Sequence, residues 1–441
     1  MVVTSQLYKI FFIINNGICY NADMEIKVSR SLKELAKILK KEAELFIVGG
    51  YVRNAILKVG TTDIDITSRL SPEELEIVLV GTEYKVKEKS KKLGTVIVIS
   101  PDGDKWEHTT FRKEFYADDG RHVPDEAIFV NDIREDARRR DFTVNSVYYN
   151  ILKEELVDFY DGETDTEHHV IKCVETPSKV FDSDGLRILR MIRFACELNF
   201  KINSQTFVKA CEMSYRLKDI TGARKLSELE LILASSERYL GRSKANAHIR
   251  GLELINKMKI WPQFYVHTNK IKFDMVKKVS AENRFIGLLI DIIDCVKPDD
   301  VNYYLQFLLS STGLPVGKKV ADYYSDVICG YYDALMGMKN KNYFLKHFDN
   351  FPKISKFLIQ KSKRINVKYE FFYKYIIKYK LAISIKDLKV NGDDLKKKVP
   401  ELSEKKYGVA LGSLLDKVFD GKLQNEPGEL LKEVRDNIKN Y

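Results

Sequence analysis

A short apolar run that ends at two glycines, with two aspartates soon after it, constrains the fold of this chain most strongly. Residues 45–48 predict a buried strand, and residues 49–50 allow a tight turn because glycine has no Cβ. Residues 51–57 predict a helix whose first N–H groups would face an anion. Asp63 and Asp65 lie in an alternating stretch, which predicts a half-buried strand with both carboxylates on one face.

The aspartate pair has two interpretations. Two carboxylates in a shielded cleft repel each other and therefore favour a bound cation, and their hard oxygen atoms suit Mg²⁺. A lone Asp-x-Asp can equally be the solvated edge of a strand. The preceding turn and Arg53 favour a site for phosphoryl transfer, in which metal ions hold the attacking and leaving oxygens.

The composition favours an acidic partner and a chain of several domains. The chain has 441 residues, a net charge of +10 and 44% hydrophobic residues, which is enough for two to four domains and typical of a nucleic-acid binder. The six cysteines form no Cys-x-x-Cys pair, so the sequence predicts neither a zinc site nor a disulfide framework. The scattered cysteines fit a reducing cytoplasm. No membrane partner is expected, because no apolar run is long enough to span a bilayer.

The element pattern changes along the chain. Up to about residue 150, strand and helix patterns alternate, and residues 94–100 and 105–111 predict a hairpin. After about residue 178, helical patterns dominate. The sequence therefore predicts an α+β protein with an α/β head on a small mixed sheet, followed by an all-α remainder. Residues 353–380 interleave lysines with aromatics, which suits either RNA contact or an amphipathic helix.

A second cluster places three arginines before a carboxylate, in Arg138 to Asp141. Arginine suits bidentate contact with phosphate, so Arg140 is a candidate ligand of a nucleotide. Asp141 could orient an arginine or complete the metal site as a third carboxylate. Glu107, on the second strand of the predicted hairpin, is the alternative third carboxylate.

A third cluster spaces one aspartate and three arginines three residues apart. On a helix this spacing would form a slanted ridge, which is either a structural ion-pair ladder or a reader of bases. An Asp can accept from an amino group while an Arg donates to the neighbouring ring nitrogen, which selects C and A and leaves U and G with unpaired groups. The residues concerned are Asp184, Arg187, Arg190 and Arg193.

Together, in this order, the motifs GGYVRN…DID, RRRDFTVNS and SDGLRILRMIRFACELNF resemble those of class II tRNA nucleotidyltransferases and bacterial poly(A) polymerases, in the DNA polymerase beta superfamily. The segment FRKEFYADDGRHVPDEAIFV resembles the flexible loop of that family. The segments IKDLKVNGDDL and LLDKVFDGKLQNEPGELL resemble the C-terminal domain of bacterial CCA-adding enzymes.

The resemblance implies four domains. They are a catalytic nucleotidyltransferase head over residues 24–150, a neck with the nucleotide-recognition helix over residues 151–235, a helical body over residues 236–345 and a tRNA-binding helical tail over residues 346–441. Residues 1–23 precede the more regular pattern, and their place in the mature protein stays open.

The resemblance also implies roles for single residues. Asp63 and Asp65 would be the catalytic Mg²⁺ ligands, and Asp141 is a catalytic carboxylate in some members. The nucleotide-binding residues would be Gly50, Arg53, Arg140, Asp184, Arg187, Arg190 and Arg193.

The chain departs from the family pattern at two positions. Asn54 replaces the usual Asp after Val-Arg, and Ser183 replaces the usual Glu before Asp184. The missing Glu could loosen Arg187 and so blur nucleotide choice.

The activity implied is template-independent CCA addition to tRNA from CTP and ATP, with release of pyrophosphate. No protein partner is predicted. Three alternatives stay open: addition of only A or only CC, poly(A) synthesis, and an RNA-binding protein without catalysis.

Overall fold

The computed structural model describes residues 26–60, 63–115, 126–238, 244–310, 313–337, 382, 385–419 and 422–441. Three predicted features lie outside the described residues: the N-terminal segment 1–23, residues 116–125 of the flexible loop and the lysine–aromatic stretch 353–380.

The head is built on a mixed seven-stranded sheet with the order β3-β4-β5-β2-β1-β8-β9. Its strands are β1 (Phe46–Val48), β2 (Asp65–Ser68), β3 (Lys85–Ser90), β4 (Thr95–Ile99), β5 (Lys105–Thr110), β8 (Tyr148–Asn150) and β9 (Glu155–Val157). Strands β2 and β5 are parallel, and the other neighbours are antiparallel. Two small pairs lie outside this sheet: β6 (Arg112–Phe115) with β7 (Glu126–Phe129), and β10 (Val170–Ile171) with β11 (Lys201–Ile202). The predicted β4–β5 hairpin is confirmed.

Strand β1 is apolar throughout because both faces of the sheet are covered. Ile47 packs into a cluster with Leu35 and Val52 on one face. Phe46 packs on the other face, in a cluster with Tyr148. The turn after β1 has φ +79° at Gly49, a conformation that favours glycine. The turn at Gly49 therefore sets the direction in which the chain leaves the central strand β1, before it reaches Asp63 and Asp65.

Eleven helices of the described residues belong to the head and the region after it. They are α1 (Arg30–Leu39), α2 (Gly50–Ile56), α3 (Pro72–Val78), α4 (Ile133–Arg138), α5 (Gly162–Glu167), α6 (Pro177–Ser183), α7 (Arg187–Glu197), α8 (Ser204–Glu212), α9 (Gly222–Leu233), α10 (Ser235–Arg238) and α11 (Ala247–Lys257). Helix α7 packs against α9, α10 and α11, and its buried row includes Leu189 and Ile192.

The link between α6 and α7 is a sharp break. Asp184 has extended dihedral angles, φ −153° and ψ 105°. A Cβ on Gly185 would lie 2.7 Å from the carbonyl oxygen of Arg216, so only glycine allows this close approach. The sequence prediction of one continuous helical ridge is therefore wrong at its first member, because Asp184 precedes α7.

The described residues divide into two compact units. The first holds residues up to 273 with residues 294–296 and 307–316, and the second holds the rest. The remaining helices are α12 (Arg284–Val296), α13 (Val301–Leu308), α14 (Lys318–Gly337), α15 (Gly392–Lys398), α16 (Tyr407–Phe419) and α17 (Pro427–Asp436). In the second unit, Leu395, Leu414 and Leu430 form part of a separate buried cluster.

The predicted fold class is confirmed: a mixed-sheet head precedes a helical remainder. Strand β9 lies after residue 150 but pairs with β8, so it belongs to the head sheet. The division into head, neck, body and tail stays a prediction. Among the described helices, none combines the length and apolar character that crossing a membrane requires.

Candidate active site

A cavity of about 690 Å³ opens beside the end of β1, the start of β2 and the start of α7. Nine arginines and four aspartates line it. All ten residues that were predicted from the sequence to be catalytic or nucleotide-binding line this cavity: Gly50, Arg53, Asp63, Asp65, Arg140, Asp141, Asp184, Arg187, Arg190 and Arg193. A strongly cationic cavity with an acidic end suits a triphosphate that carries a cation.

The acidic end contains Asp63 and Asp65. Asp65 begins β2, whereas Asp63 precedes the strand, so the strand periodicity applies to only one of them. Asp65 is open to water from the cavity, yet the surrounding protein reduces its hydration. This desolvation, together with the charges of Asp63 and Glu107, raises the pKa of Asp65 to about 6. Glu107 lies opposite Asp65 in the parallel β2–β5 register.

The acidic pair fits a hard divalent cation. Desolvation first, and then the negative charge of Asp63, raises the pKa of Asp65, and a bound cation would offset both effects. Among the described residues, no cluster of three or more His, Cys, Asp or Glu side chains forms a metal site. A cation held by Asp63 and Asp65 would therefore need further oxygens from substrate phosphates, as is usual for Mg²⁺.

Arg53 extends from α2 into the cavity wall and is only 2% exposed. Its Nε and Nη2 donate to Asn54 Oδ1, at 3.1 and 2.9 Å, and its Nη1 donates to Asn145 Oδ1 at 2.5 Å. A Cβ added to Gly50 would lie 3.7 Å from Arg53 Nη2. Asn54, where the family usually has Asp, thus still holds the arginine through its amide oxygen.

Asp136 is a fully buried carboxylate that the sequence interpretation did not include. It lies 2.8 Å from Arg139 and 3.0 Å from Arg140, and it accepts from the Tyr148 hydroxyl at 2.7 Å. Burial opposes its ionisation, but the two guanidiniums and the hydroxyl prevail and hold the pKa of Asp136 well below its usual range. Asp136 therefore stays charged and fixes both arginines at the cavity.

Asp141 orients an arginine, one of the two roles considered for it. Its Oδ2 accepts from Arg190 Nε at 2.8 Å and Nη2 at 2.6 Å. Its Oδ1 accepts from the backbone N–H of Phe142 and from Asn145 Nδ2. Burial opposes ionisation here too, but Arg190 and Asn145 hold the pKa of Asp141 well below its usual range. Glu107 is the carboxylate that lies beside Asp65.

Arg193 lines the cavity, but its guanidinium bonds to two glutamates. Its Nε lies 2.7 Å from Glu228 and its Nη1 lies 3.3 Å from Glu197. Glu197 also pairs with Arg238 at 3.1 Å. Arg193 is only 6% exposed, so its geometry suits a positioning role at the cavity wall.

The proposed base-reading pair lies at the break between α6 and α7. Asp184 Oδ2 pairs with Arg224 at 2.6 Å, and its Oδ1 accepts from the backbone N–H of Leu186 at 3.0 Å. Arg187, the first residue of α7, donates from Nη2 to the Arg139 carbonyl oxygen at 2.6 Å. Its Nη1 donates to Ser183 Oγ at 2.9 Å. These contacts hold the side chains of Asp184 and Arg187 at the cavity wall.

The structure adds several residues to the sequence-based set. Arg112, Arg139, Arg224 and Arg238 also line the cavity. Asp136 could have been found from its spacing, because it lies three and four residues before Arg139 and Arg140 on a helix. Arg224 and Arg238 had no local signal, since α9 and α10 reach the cavity only through tertiary packing.

The fold and the cavity define a nucleotidyltransferase-type head. Residues 45–172 match the family described as the Poly A polymerase head domain. The match is confined to the head, and it agrees with the family that the motifs resemble. Nucleotidyltransferases of this kind generally use divalent metal ions.

Two CCA-adding enzymes are similar in sequence to part of the chain. The chain is 38% identical over 209 residues to a CCA-adding enzyme of Pediococcus pentosaceus, a match that covers 47% of this chain and 50% of the relative. It is 31% identical over 273 residues to a CCA-adding enzyme of Staphylococcus saprophyticus, covering 60% of this chain and 63% of the relative. The chain thus spans about half the length of the first of these and somewhat more of the second.

The fold is similar over most of the chain to solved CCA-adding enzymes. That of Bacillus stearothermophilus in complex with CTP has a TM-score of 0.60 at 19% identity, covering 93% of this chain and 99% of that one. That of Thermotoga maritima complexed with tRNA has a TM-score of 0.56 at 21% identity, covering 92% and 94%. At these identities the likeness concerns the fold alone.

Proposed function

We propose that the chain is a CTP- and ATP-dependent tRNA nucleotidyltransferase that adds C, C and A to the 3′ end of tRNA without a nucleic-acid template. The main observation that supports this proposal is that Asp63 and Asp65 line the same cavity as Asp184 and Arg187. The first pair suits nucleotidyl transfer, and the second pair suits base selection. The CCA-adding relatives support tRNA, CTP and ATP as the substrates. A cytoplasmic location remains the expectation from composition.

Base selection would rest on two complementary groups. Asp184 accepts from the exocyclic amino group, and Arg187 donates to the adjacent ring nitrogen. C and A satisfy both groups, whereas U and G would leave buried polar groups unpaired, at about 1–3 kcal/mol each. The anchors Arg224 and Arg139 hold the pair in register before the nucleotide arrives.

Nucleotidyl transfer would occur between the base-selecting pair, Asp184 and Arg187, and the acidic pair, Asp63 and Asp65. The 3′-hydroxyl oxygen of tRNA bonds to the α-phosphorus of the nucleotide, and the bond to pyrophosphate breaks. Arg53, Arg140 and Arg190 bind and orient the triphosphate, because guanidiniums match phosphate oxygens bidentately. Asp63 and Asp65 would hold Mg²⁺, which when bound neutralises developing charge and activates the attacking hydroxyl.

The direct test uses tRNA transcripts that end before CCA, after C and after CC. Each is incubated with CTP, ATP or both, and the products are separated by length. The proposal expects two additions from CTP alone on the shortest transcript, and one addition from ATP on the transcript ending in CC. Asp63→Asn serves as the inactive control.

Other product patterns would identify the alternatives. One A on the CC transcript, with no use of CTP, would show an A-only enzyme. A long A tail would show a poly(A) polymerase. Bound tRNA without any extension would show an RNA-binding protein and contradict the proposed function.

A further inference from the structure

The guanidinium of Arg187 is held from behind by three neutral oxygens. Its Nη1 lies 2.9 Å from Ser183 Oγ and 3.4 Å from the Val180 carbonyl oxygen, and its Nη2 lies 2.6 Å from the Arg139 carbonyl oxygen. The Ser183 hydroxyl donates to the same Val180 carbonyl at 2.9 Å. Its hydrogen is therefore engaged, and its lone pairs are available to Arg187.

This tether differs from those of the neighbouring arginines. Arg190 pairs with Asp141, and Arg193 pairs with Glu197 and Glu228. Within the described part of the chain, no carboxylate forms a salt bridge with Arg187. A neutral tether orients a guanidinium without cancelling its charge, which leaves it a strong donor toward a base.

A second cavity, of about 200 Å³, lies behind Arg187. Ser183, Val180 and Glu175 contribute to its wall together with Arg187 itself. Arg187 thus lies between the nucleotide cavity and a second open space, in which Glu175 is already paired with Arg138 and Lys179. Without the hydroxyl, Nη1 keeps only the longer contact with the Val180 carbonyl oxygen, and the guanidinium gains freedom to tilt into this space and away from the base.

We propose that Ser183 is a positioning residue that sets nucleobase selectivity by tethering Arg187 at the nucleotide cavity. This inference rests on the proposed function, since it assumes that Arg187 reads the base. It also gives a role to Ser183, which replaces the usual Glu of the family. The shorter side chain keeps an acceptor for Arg187 and leaves the second cavity open.

The test compares kcat/KM for CTP and UTP on the transcript that ends before CCA. Ser183→Ala lowers the CTP/UTP ratio about three- to tenfold, the range expected for one lost hydrogen bond. The loss lies mainly in faster use of UTP, while the melting temperature stays unchanged. Ser183→Thr, which keeps the hydroxyl, restores the ratio. Ser183→Val, which has the shape of threonine without its hydroxyl, repeats the loss and is the second test if the alanine variant does not fold.

Ser178→Ala is the matched control, because Ser178 is exposed on the same helix α6 and does not line either cavity. It leaves the ratio unchanged. A wild-type preference for CTP that persists in full in Ser183→Ala would overturn the inference alone. A wild-type enzyme with no preference for CTP would overturn both the inference and the proposed function.

Discussion

The two ends of the nucleotide cavity treat their carboxylates in opposite ways. At the end beside α7, Asp141 and Asp184 each bond to an arginine, and the arginines hold the pKa of Asp141 below its usual range. At the head end, Asp63 and Asp65 form no salt bridge within the described residues, and the pKa of Asp65 is raised to about 6.

The difference separates two uses of the same side chain. A carboxylate paired with a guanidinium is satisfied before substrate arrives, so it fixes the position of that guanidinium. A carboxylate pair without cationic partners is strained by mutual repulsion, and binding of a cation relieves that strain. One end of the cavity is therefore preorganised, and the other is completed by its ligand.

The largest expected effect follows replacement at the head end. Asp65→Asn removes a metal-binding charge, so nucleotide incorporation should fall by at least about a thousandfold. The melting temperature should stay the same or rise, because a repulsion is relieved. Incorporation assays and thermal unfolding measure the two effects. Asp102→Asn, on the exposed β4–β5 turn, is the control, and a destabilised Asp65→Asn with normal turnover would contradict the comparison.

Asp136→Asn should have the opposite profile. The change leaves Arg139 and Arg140 without their buried counter-charge, and loss of a buried partner costs about 3 kcal/mol of unfolding free energy. Urea denaturation measures the loss. Stability equal to that of the wild type would show that Asp136 does not fix these arginines.

The pH dependence of that loss has a definite sign. The folded-state pKa of Asp136 lies below its unfolded value, so the group stabilises the fold above about pH 4. As the pH falls below about 4 toward the folded-state pKa, that contribution disappears. The stability difference between wild type and Asp136→Asn should therefore shrink on acidification. A difference that stays constant from pH 6 to strong acid would refute the assignment.

Asp141→Asn should give a smaller loss of stability, about 2 kcal/mol, because Arg190 is partly exposed to solvent. The freed arginine should also bind triphosphate less precisely, which raises KM for both CTP and ATP. Steady-state kinetics with each nucleotide check this. An effect confined to kcat, with KM unchanged, would instead favour Asp141 as a direct participant in transfer.

Glu228→Gln should have the smallest effect, about 1 kcal/mol, because Arg193 keeps its bond to Glu197. Denaturation and KM for ATP together measure it. A collapse of activity as complete as that of Asp65→Asn would break the distinction between positioning carboxylates and metal-binding ones.

Much of the site could be predicted from short-range patterns. The strand–glycine–helix unit of residues 45–57 formed as its local chemistry predicts. The residues from Asp184 to Arg193 were predicted to lie on one helix. This prediction was wrong for Asp184, which precedes α7. The close approach of Arg216 to Gly185 breaks the helix there, and no local pattern encodes that contact.

The sequence by itself determined the mixed-sheet head, the helical remainder and ten residues that line one cavity, because alternation, glycine and charge spacing act over a few residues. Only the tertiary structure decided which charged groups of separate elements are partners. It paired Arg224 with Asp184 and Arg190 with Asp141. Charges on separate elements meet only when the elements pack, and that packing determines which carboxylates are neutralised and which stay available for a cation.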